Sequence, residues 1–381
     1  MESVQLATRK IRIYPKNELK FKQALSLFRR AYNLATACYI NDEWRDEDGK
    51  AINLRPSIKQ VCRAEQLDNG GIYNSIIVDN AVLKAKETFL KIIKCNKSNK
   101  TNHSMSFKSR KHSRQTFAVD RLSVSKMVAP RAIGEFDSAE QIGDESINKS
   151  CSISFERGRW YIQVLTNIST AAEIQGDVRC IAIDPGVRTF ATGFSDNEVI
   201  EFGRDFAKKR LLPLALKYRK LISIRAKLLK LDSEEIWVTE RLASICKKIW
   251  KLENKKQDLV LDMHHRLAYY LVSNYDLVFL PTFETKKMTR KNGRRINRST
   301  TRAMLDLSHY KFKMLLKWYA KKYGKHVVDC NESYTSKTIS WSGVIDNKLG
   351  SKKTIKDKSY VVGRDINAAR GILIKQLSMA A

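Results

Sequence analysis

The sequence predicts an α/β fold in the C-terminal half of the chain, preceded by a small β domain with a helical insertion. After about residue 178, short apolar segments with strand character alternate with long, charged segments whose apolar residues recur at helical spacing. Such alternation is typical of a sheet with helices packed against it. Before that point, the strand-like segments ATRKIRIYP and SISFERGRWYIQVLTNI enclose amphipathic helical patterns.

The N-terminal elements follow from their periodicity. ATRKIRIYP alternates apolar and polar side chains as a half-buried strand does, and helical spacing follows at about 17–45 and 72–97. A Lys-, Asn- and Ser-rich stretch over 94–113 predicts a loop. In SISFERGRWYIQVLTNI the central ERGR predicts a hairpin turn.

The C-terminal elements begin with the strand RCIAIDPG. The strands VRTFATGFS and NEVIEFG follow directly, then two charged helices at about 205–231 and 235–273. The strand LVFLPTF, a basic loop over 286–302, a helix ending near Tyr323, the strand HVVDCN and the helix RDINAARGI complete the order. This succession of strands and helices resembles that of RNase H-like domains.

The expected domain boundaries rest on these patterns and on a change in composition at AAEIQGDVR. We expect a β domain over 1–16 and 98–176, a helical domain over 17–97, and an α/β domain over 177–381. The length of the chain agrees with two or three domains.

The charge of the chain indicates a polyanionic partner. Lys and Arg number 71 against 40 Asp and Glu, which gives a formal net charge of +31. Such a chain repels itself unless a polyanion neutralises it, so we expect a nucleic acid partner. The sequence shows no run of about 18 apolar residues, so we expect no membrane partner and a soluble, intracellular protein. The seven cysteines form no C-x-x-C pair and predict buried free thiols.

Three acidic residues are the candidate catalytic residues. Asp184 ends a buried strand before Pro and Gly, Glu284 follows a second apolar strand, and Asp365 opens a helix. In that helix, Asn367 and the small Ala368 and Ala369 are expected to form a face that packs closely on the sheet. Each of the three acids has a simpler explanation, since carboxylates are common at strand ends and Asp365 would serve as a helix N-cap. The pattern around Asp184 also occurs in actin-like ATPases, but the Gly-rich phosphate loops of that class are missing from this sequence. The three acids together favour a site for two Mg²⁺ ions, with Mn²⁺ as an alternative.

At these residues the sequence resembles the transposon-encoded RNA-guided nucleases TnpB and their eukaryotic and giant-virus relatives, Fanzor. IAIDPGVRTFATGF resembles the first RuvC motif of that family and FLPTFETKKM the second. SHYKFKMLLKWYAKKYGKHVV, ESYTSKT and GRDINAAR follow in family order, and FLPTFET is nearest to Fanzor. RKIRIYP and MSFKSRKHSRQTF resemble wedge-domain segments, with the helices between them in the place of a recognition lobe.

The resemblance implies an RNase H-like (RuvC) nuclease domain in which Asp184, Glu284 and Asp365 hold the metal ions. It also implies a noncoding guide RNA from the same mobile element and a double-stranded target DNA, read by base pairing beside a short motif that the protein reads. A monomer within the ribonucleoprotein is expected. The expected location is the nucleus for a Fanzor and the bacterial cytoplasm and nucleoid for a TnpB.

One segment departs from the family. Members of the family usually carry a zinc ribbon here, and over 334–363 the cysteine positions are occupied by Ile339, Ser342, Ile355 and Lys358. None of these can replace a thiolate, so no zinc is predicted. The segment is expected either to persist as a metal-free hairpin packed on Ile339 and Ile355 or to be disordered.

Two basic segments are candidates for contact with a nucleic acid backbone, although a solvated charged surface would explain them as well. The candidate residues are Lys108, Arg110, Lys111, Arg114, Lys286, Lys287, Arg290, Lys291, Arg294, Arg295 and Arg298. Trp318, His264 and His265 are interpreted as core residues.

The leading hypothesis is an RNA-guided, Mg²⁺-dependent DNA endonuclease. The alternative is an RNA-guided DNA-binding protein that no longer cuts; the retained acids argue against it and the altered ribbon argues for it. Protein-mediated transposition is the weakest hypothesis.

Overall fold

The computed structural model describes residues 4–99, 102–119, 127–128, 133–146, 149–169, 177–231, 235–283, 285–290, 296–330, 337–346, 349, 353–357 and 360–380. These residues belong to an N-terminal unit, Gln5–Ile168, and a C-terminal unit that begins at Ser169. Each unit has its own hydrophobic core.

The N-terminal unit combines a six-stranded sheet with helices. In chain order its described elements are β1 (Val4–Pro15), α1 (Glu18–Ile40), α2 (Arg55–Asp68), α3 (Ser75–Asn99), β2 (Arg114–Val119), β3 (Met127–Val128), β4 (Gly134–Ser138), a 3₁₀ turn (Asp144–Ser146), β5 (Cys151–Glu156) and β6 (Arg159–Ser169). The strand order is β2-β5-β6-β1-β4-β3. The predicted ERGR hairpin is confirmed: β5 and β6 pair antiparallel, and Arg157 and Gly158 both have positive φ, as a two-residue hairpin turn requires.

The core of this unit forms where α1 meets the sheet. Asn17 caps α1 by accepting a hydrogen bond from the Lys20 amide at 3.1 Å, and the helix then buries an apolar stripe that begins at Phe21. Phe21 meets the buried ring of Trp160 edge-on at 5.4 Å. Ile13 of β1 is buried beneath it in the same core.

The C-terminal unit is an α/β structure. Its described elements are β7 (Cys180–Pro185), β8 (Ala191–Phe194), β9 (Val199–Phe202), a π-helical turn (Ala207–Leu211), α4 (Leu212–Leu229), α5 (Ile236–Asn274), β10 (Leu277–Pro281), α6 (Thr285–Met288), α7 (Arg298–Leu307), α8 (His309–Lys322), β11 (His326–Cys330), β12 (Thr354–Asp357), β13 (Tyr360–Gly363) and α9 (Arg364–Ala380). Five of the strands form one sheet in the order β11-β10-β7-β8-β9.

The sheet has the topology that the predicted element order requires. Strands β7, β8 and β9 form an antiparallel meander, while β10 runs parallel to both β7 and β11. Numbered from β7 within this unit, the order is 3-2-1-4-5, which is that of an RNase H-like sheet.

Alternation along β7 separates the two faces of this sheet. Ile181 and Ile183 belong to the core that contains α5 and α8, whereas Ala182 packs with Ile372 and Leu373 of α9. Because side chains two apart share a face, Asp184 follows Ala182 towards the α9 side. The Asp184 carboxylate, at the end of β7, thus lies on the face of the sheet that α9 covers.

Some elements differ from their predictions. The helix expected to end near Tyr323 is two helices, because Ser308 has a left-handed backbone (φ 53°) that ends α7 and starts α8 in a new direction. Trp318 is 37% exposed rather than core, since α8 buries a stripe that includes Phe312 and Leu316. Of the seven free cysteines, Cys62, Cys151 and Cys330 are buried and the others are partly or fully exposed.

Among the helices of the described ranges, none combines the length and apolar character that crossing a membrane requires.

Candidate active site

The first candidate residue, Asp184, lies opposite Thr192 in the β7–β8 pairing and is half-buried. After it, the chain turns tightly through 186–190, where the Gly186 amide donates to the Phe190 carbonyl at 3.1 Å. A Cβ atom at residue 186 would lie 2.5 Å from the Thr189 carbonyl oxygen. The turn that follows Asp184 therefore requires glycine.

Asp365 lies in the first turn of α9, where its carboxylate is held by two arginines. Arg364 donates to Oδ1 from Nη2 at 2.8 Å and from Nε at 3.1 Å, and Arg188 Nη2 lies 3.9 Å from Oδ2. Arg188 belongs to the turn after Asp184, so the structure brings Asp365 together with that turn. The Asp365 side chain keeps 21% of its surface exposed, and the carboxylate remains accessible from solvent.

Glu284, the third candidate, lies outside the described residues. Strand β10, which precedes it, runs parallel to β7 with Leu277 opposite Cys180 and Phe279 opposite Ala182. The carboxyl ends of β7 and β10 therefore lie at the same edge of the sheet. Phe283, the last described residue before Glu284, packs against His309 with ring centroids 4.6 Å apart.

Helix α9 carries a residue whose role differs from its prediction. Ala368, Ala369, Ile372 and Leu373 are buried on the sheet side, as the small residues predicted. Asn367, grouped with them from the sequence, is buried instead against the insertion before the helix. Its Oδ1 accepts from the Ser340 amide at 2.8 Å and its Nδ2 donates to the Thr338 carbonyl at 2.9 Å.

The insertion that precedes α9 forms a hairpin with its own small core. Strands β12 and β13 pair antiparallel, and Ile339, Leu349 and Ile355 are buried together with Trp341 packed against them. Ser342 is exposed, and Lys358 lies outside the described residues. Two of the positions that carry cysteine in the family thus supply apolar core side chains, and this donor set does not fit zinc.

The two described acids do fit a hard cation. Carboxylate oxygens are the ligands that Mg²⁺ and Mn²⁺ prefer. Among the described residues no group of three or more His, Cys, Asp or Glu side chains converges, and Glu284 lies outside that set.

The basic residues of the N-terminal unit are not equivalent. Lys108 is turned inward, with Nζ 4.0 Å from the centre of the Tyr32 ring, and its backbone is fixed from both sides by Asn33 at 2.8 and 3.0 Å. Burial lowers the pKa of Lys108 to about 8. Arg110 and Lys111 are exposed.

The remaining described candidates are exposed. Arg114 is exposed and pairs with Glu156 at 2.9 Å, and Arg290 and Arg298 of the C-terminal unit are also exposed. The side chains of Lys286 and Lys287, and residues Lys291, Arg294 and Arg295, lie outside the described part of the chain.

The sequence did not predict the contacts of three residues near this site, namely Arg188, Asn367 and His309. Each acts through a partner far away in the chain, so no local pattern marked it. The only available signal was position: Arg188 lies four residues after Asp184, and His309 is the second residue of the SHYKF motif.

Comparison with known proteins finds similarity within the C-terminal unit and along the whole chain. The profile of the Cas12f1-like, TNB domain family matches residues 309–372, which include His309, the insertion and Asp365. A putative transposase of Paramecium bursaria Chlorella virus 1 is 26% identical over 99% of this chain and 88% of its own length. The chain is therefore similar to TnpB-like and transposase proteins of giant viruses, in agreement with the resemblance to TnpB and Fanzor seen in its motifs.

Other similar proteins match about three fifths of this chain. A TnpB-like protein of Acanthamoeba polyphaga mimivirus is 26% identical over 60% of this chain and 43% of its own length, so the chain spans less than half of that relative. Solved structures of a Cas12f1–sgRNA–target DNA complex and of the mini-RNA-guided endonuclease Cas-phi3 align at TM-scores of 0.48 and 0.47, with 15% and 10% identity. These alignments cover 94% and 97% of this chain, and 82% and 92% of the solved chains.

Proposed function

We propose that this protein is an RNA-guided DNA endonuclease in which Asp184, Glu284 and Asp365 bind two Mg²⁺ ions. The observation that carries the proposal is the approach of Asp365 to the turn after Asp184, through Arg188. These two acids are 181 residues apart in the sequence and have no structural need to converge. The approach of Asp365 to the turn after Asp184 supports a site shared by the two acids.

The chain's own residues would position a phosphodiester for hydrolysis. Bound Mg²⁺ would activate a water molecule and stabilise the departing 3′ oxygen. The glycine turn holds Asp184 at the end of β7, and the packing of α9 on the sheet holds Asp365. Arg188 and Arg364 would balance the charge of the Asp365 carboxylate until the ions bind.

The exposed basic residues are proposed to contact nucleic acid backbones. Arg110 and Lys111 in the N-terminal unit, and Arg290 and Arg298 in the C-terminal unit, have side chains available for phosphates. We propose the β strands of the N-terminal unit as the wedge domain and α1, α2 and α3 as the recognition lobe. The proposed partners are a guide RNA from the same element and the double-stranded DNA that it matches.

The test is guided cleavage by the purified ribonucleoprotein, expressed with the DNA that flanks its gene. We expect a guide-matched plasmid to be cut with Mg²⁺ and left intact with EDTA. Asp184→Ala and Asp365→Ala should each lower the rate by at least about 1,000-fold, because each removes a metal ligand. Asp262→Ala, at an exposed carboxylate on α5, is the control and should cut normally.

One observation favours a second candidate, the guided DNA-binding protein without cleavage. The apolar core of the insertion has displaced the zinc ligands of the family. Co-purified RNA and guide-dependent DNA binding, without cutting in any divalent metal, would establish this second function and reject the first.

A further inference from the structure

Four aromatic rings form a row inside the C-terminal unit. In order they are His264, Phe190, His309 and Phe283, with centroid separations of 5.1, 4.7 and 4.6 Å. The rings of Phe190 and His309 are nearly parallel, at 9°. The Phe283 ring is tilted by 55° to His309, and aromatic rings in contact at these separations attract one another.

The two rings that flank His309 belong to the segments that carry two of the candidate ligands. Phe190 closes the turn after Asp184, because its carbonyl accepts the Gly186 amide. Phe283 directly precedes Glu284 in the chain. His309 contacts both rings and so links the two segments through a third element, helix α8.

The backbone conformation before His309 directs its side chain into the core. Ser308 adopts a left-handed conformation, which is unfavourable for a residue with a Cβ atom and here directs the start of α8 inward. The preceding Leu307 carbonyl accepts a hydrogen bond from His264 Nε2 at 2.9 Å, which fixes this bend against α5. His309 is 4% exposed as a result.

His309 acts here as a neutral ring. Burial lowers its pKa to about 3, with His264 contributing and the nearby Gly186 backbone opposing the shift. Neither ring nitrogen makes a hydrogen bond of normal geometry to a described residue. The contacts that distinguish this position are therefore its two aromatic neighbours, Phe190, which stacks on it, and Phe283, which is tilted by 55° to it.

We infer that His309 is a positioning residue that fixes the turn after Asp184 relative to the segment that leads into Glu284. The inference rests on the proposed metal site. A ligand displaced by about 1 Å can slow a reaction about 100-fold, so loss of the ring should act on turnover and on metal binding. Binding of the DNA to distant basic surfaces should not change.

The first test compares His309→Leu, which removes the ring, with His309→Phe, which keeps it. For His309→Leu we expect kcat to fall at least 10-fold and the Mg²⁺ midpoint to rise several-fold, with KM within about twofold of the wild type. His309→Phe should stay within about threefold in each quantity. Equal loss in the two variants, or no loss in His309→Leu, would overturn the inference.

A second pair of variants separates positioning from general loss of stability. Tyr319→Leu removes a different stacked ring from α8, about 15 Å along the helix, and should leave the Mg²⁺ midpoint unchanged. Phe283→Leu removes the contact between the Phe283 and His309 rings by changing its more exposed partner. The effects of Phe283→Leu and His309→Leu on kcat and on the Mg²⁺ midpoint should therefore not add in the double variant. Additive effects would show that the two rings act independently, against the inference.

Hydrogen exchange measures the same coupling without any cleavage. Amides over 186–190 and 282–283 should exchange faster in His309→Leu and at the wild-type rate in His309→Phe. If the wild type does not cut at all, the proposed function fails while this exchange result still decides the role of His309. Unchanged exchange in His309→Leu would refute it.

Discussion

At the scale of single residues, Gly186 is the position of the candidate site that has least room for a larger side chain. The turn after Asp184 brings the Thr189 carbonyl to 2.5 Å from where a Cβ atom would be. Backbone cannot yield there without moving Phe190, which is fully buried beneath β8. The close Thr189 carbonyl and the buried Phe190 ring therefore both limit how far the turn after Asp184 can move.

We predict that Gly186→Ala lowers the cleavage rate at least about 10-fold, because the turn must shift away from the Thr189 carbonyl. Overpacking of this kind costs about 1–3 kcal/mol of stability, which a urea titration would measure. Gly363→Ala is the matched control, since a Cβ atom there meets only Ile366 side-chain atoms at 3.6 Å and beyond. A Gly186→Ala protein with wild-type rate and stability would contradict the prediction.

The site could be predicted from the sequence only for residues whose pattern is local. Asp184 and Asp365 were found because a strand end with Pro-Gly and a helix start are visible in a few letters. Asn367 was assigned to the sheet face because its neighbours are small, yet its amide bonds two residues nearly 30 positions earlier. His309 was invisible for the same reason, since its partners are brought together only by the fold.

At the scale of elements, one buried carboxylate holds together the starts of three parallel strands. Asp276, just before β10, accepts from the Arg179 amide at 3.0 Å and from Lys325 at 2.5 Å. Those partners precede β7 and β11. Burial disfavours the charged form, but the Lys325 and Arg179 bonds outweigh it and lower the pKa of Asp276 to about 2.

We predict that Asp276→Asn lowers the free energy of unfolding by about 2 kcal/mol at pH 7. The folded pKa lies below the usual value of about 4, so the contribution is complete above about pH 4 and is lost as the pH falls towards 2. Urea titrations between pH 2 and 7 should show the difference from the wild type shrinking in that window. Asp262→Asn, which breaks an exposed pair with Arg266, should show no such trend.

The hairpin of the insertion is predicted to fold without metal. Purified protein should contain no stoichiometric zinc, and EDTA should leave amide exchange over 354–357 and 360–363 unchanged. Ile355→Ala should cost about 2 kcal/mol of local stability and speed that exchange, because it empties the centre of the small core. Ser342→Ala, at an exposed position that carries cysteine in the family, should have no effect.

Elements were predicted well where apolar spacing decides them and poorly where a single backbone angle does. The strands RCIAIDPG and LVFLPTF and the long helix α5 are present as expected. The break at Ser308 was missed because serine is not a typical left-handed residue. Helix α2 also received no separate prediction.

At the scale of the whole molecule, the net charge of +31 should dominate affinity for nucleic acid. If about ten phosphates are neutralised, the logarithm of the binding constant should fall with the logarithm of salt at a slope near −9. Filter binding of duplex DNA between about 50 and 300 mM salt measures this slope. A slope shallower than about −3 would exclude an interface of that size.

Substitution of an exposed basic residue that contacts a phosphate should reduce that slope by about 1 for each residue replaced. Replacing Arg110 and Lys111 by Gln should reduce it by about 2, whereas the same change at Lys20 and Lys50, exposed elsewhere on the N-terminal unit, should not. Equal reductions of the salt slope in both pairs of variants would mean that Arg110 and Lys111 make no specific phosphate contact and that only the overall positive charge matters.

The small core of the hairpin is formed by the side chains of Ile339, Leu349 and Ile355. We therefore expect folding of this hairpin to need no zinc from the cell in which the protein is made. If the gene is mobile, as the proposed function implies, its hosts differ in zinc content, and the protein should fold equally well in a zinc-starved culture and a replete one.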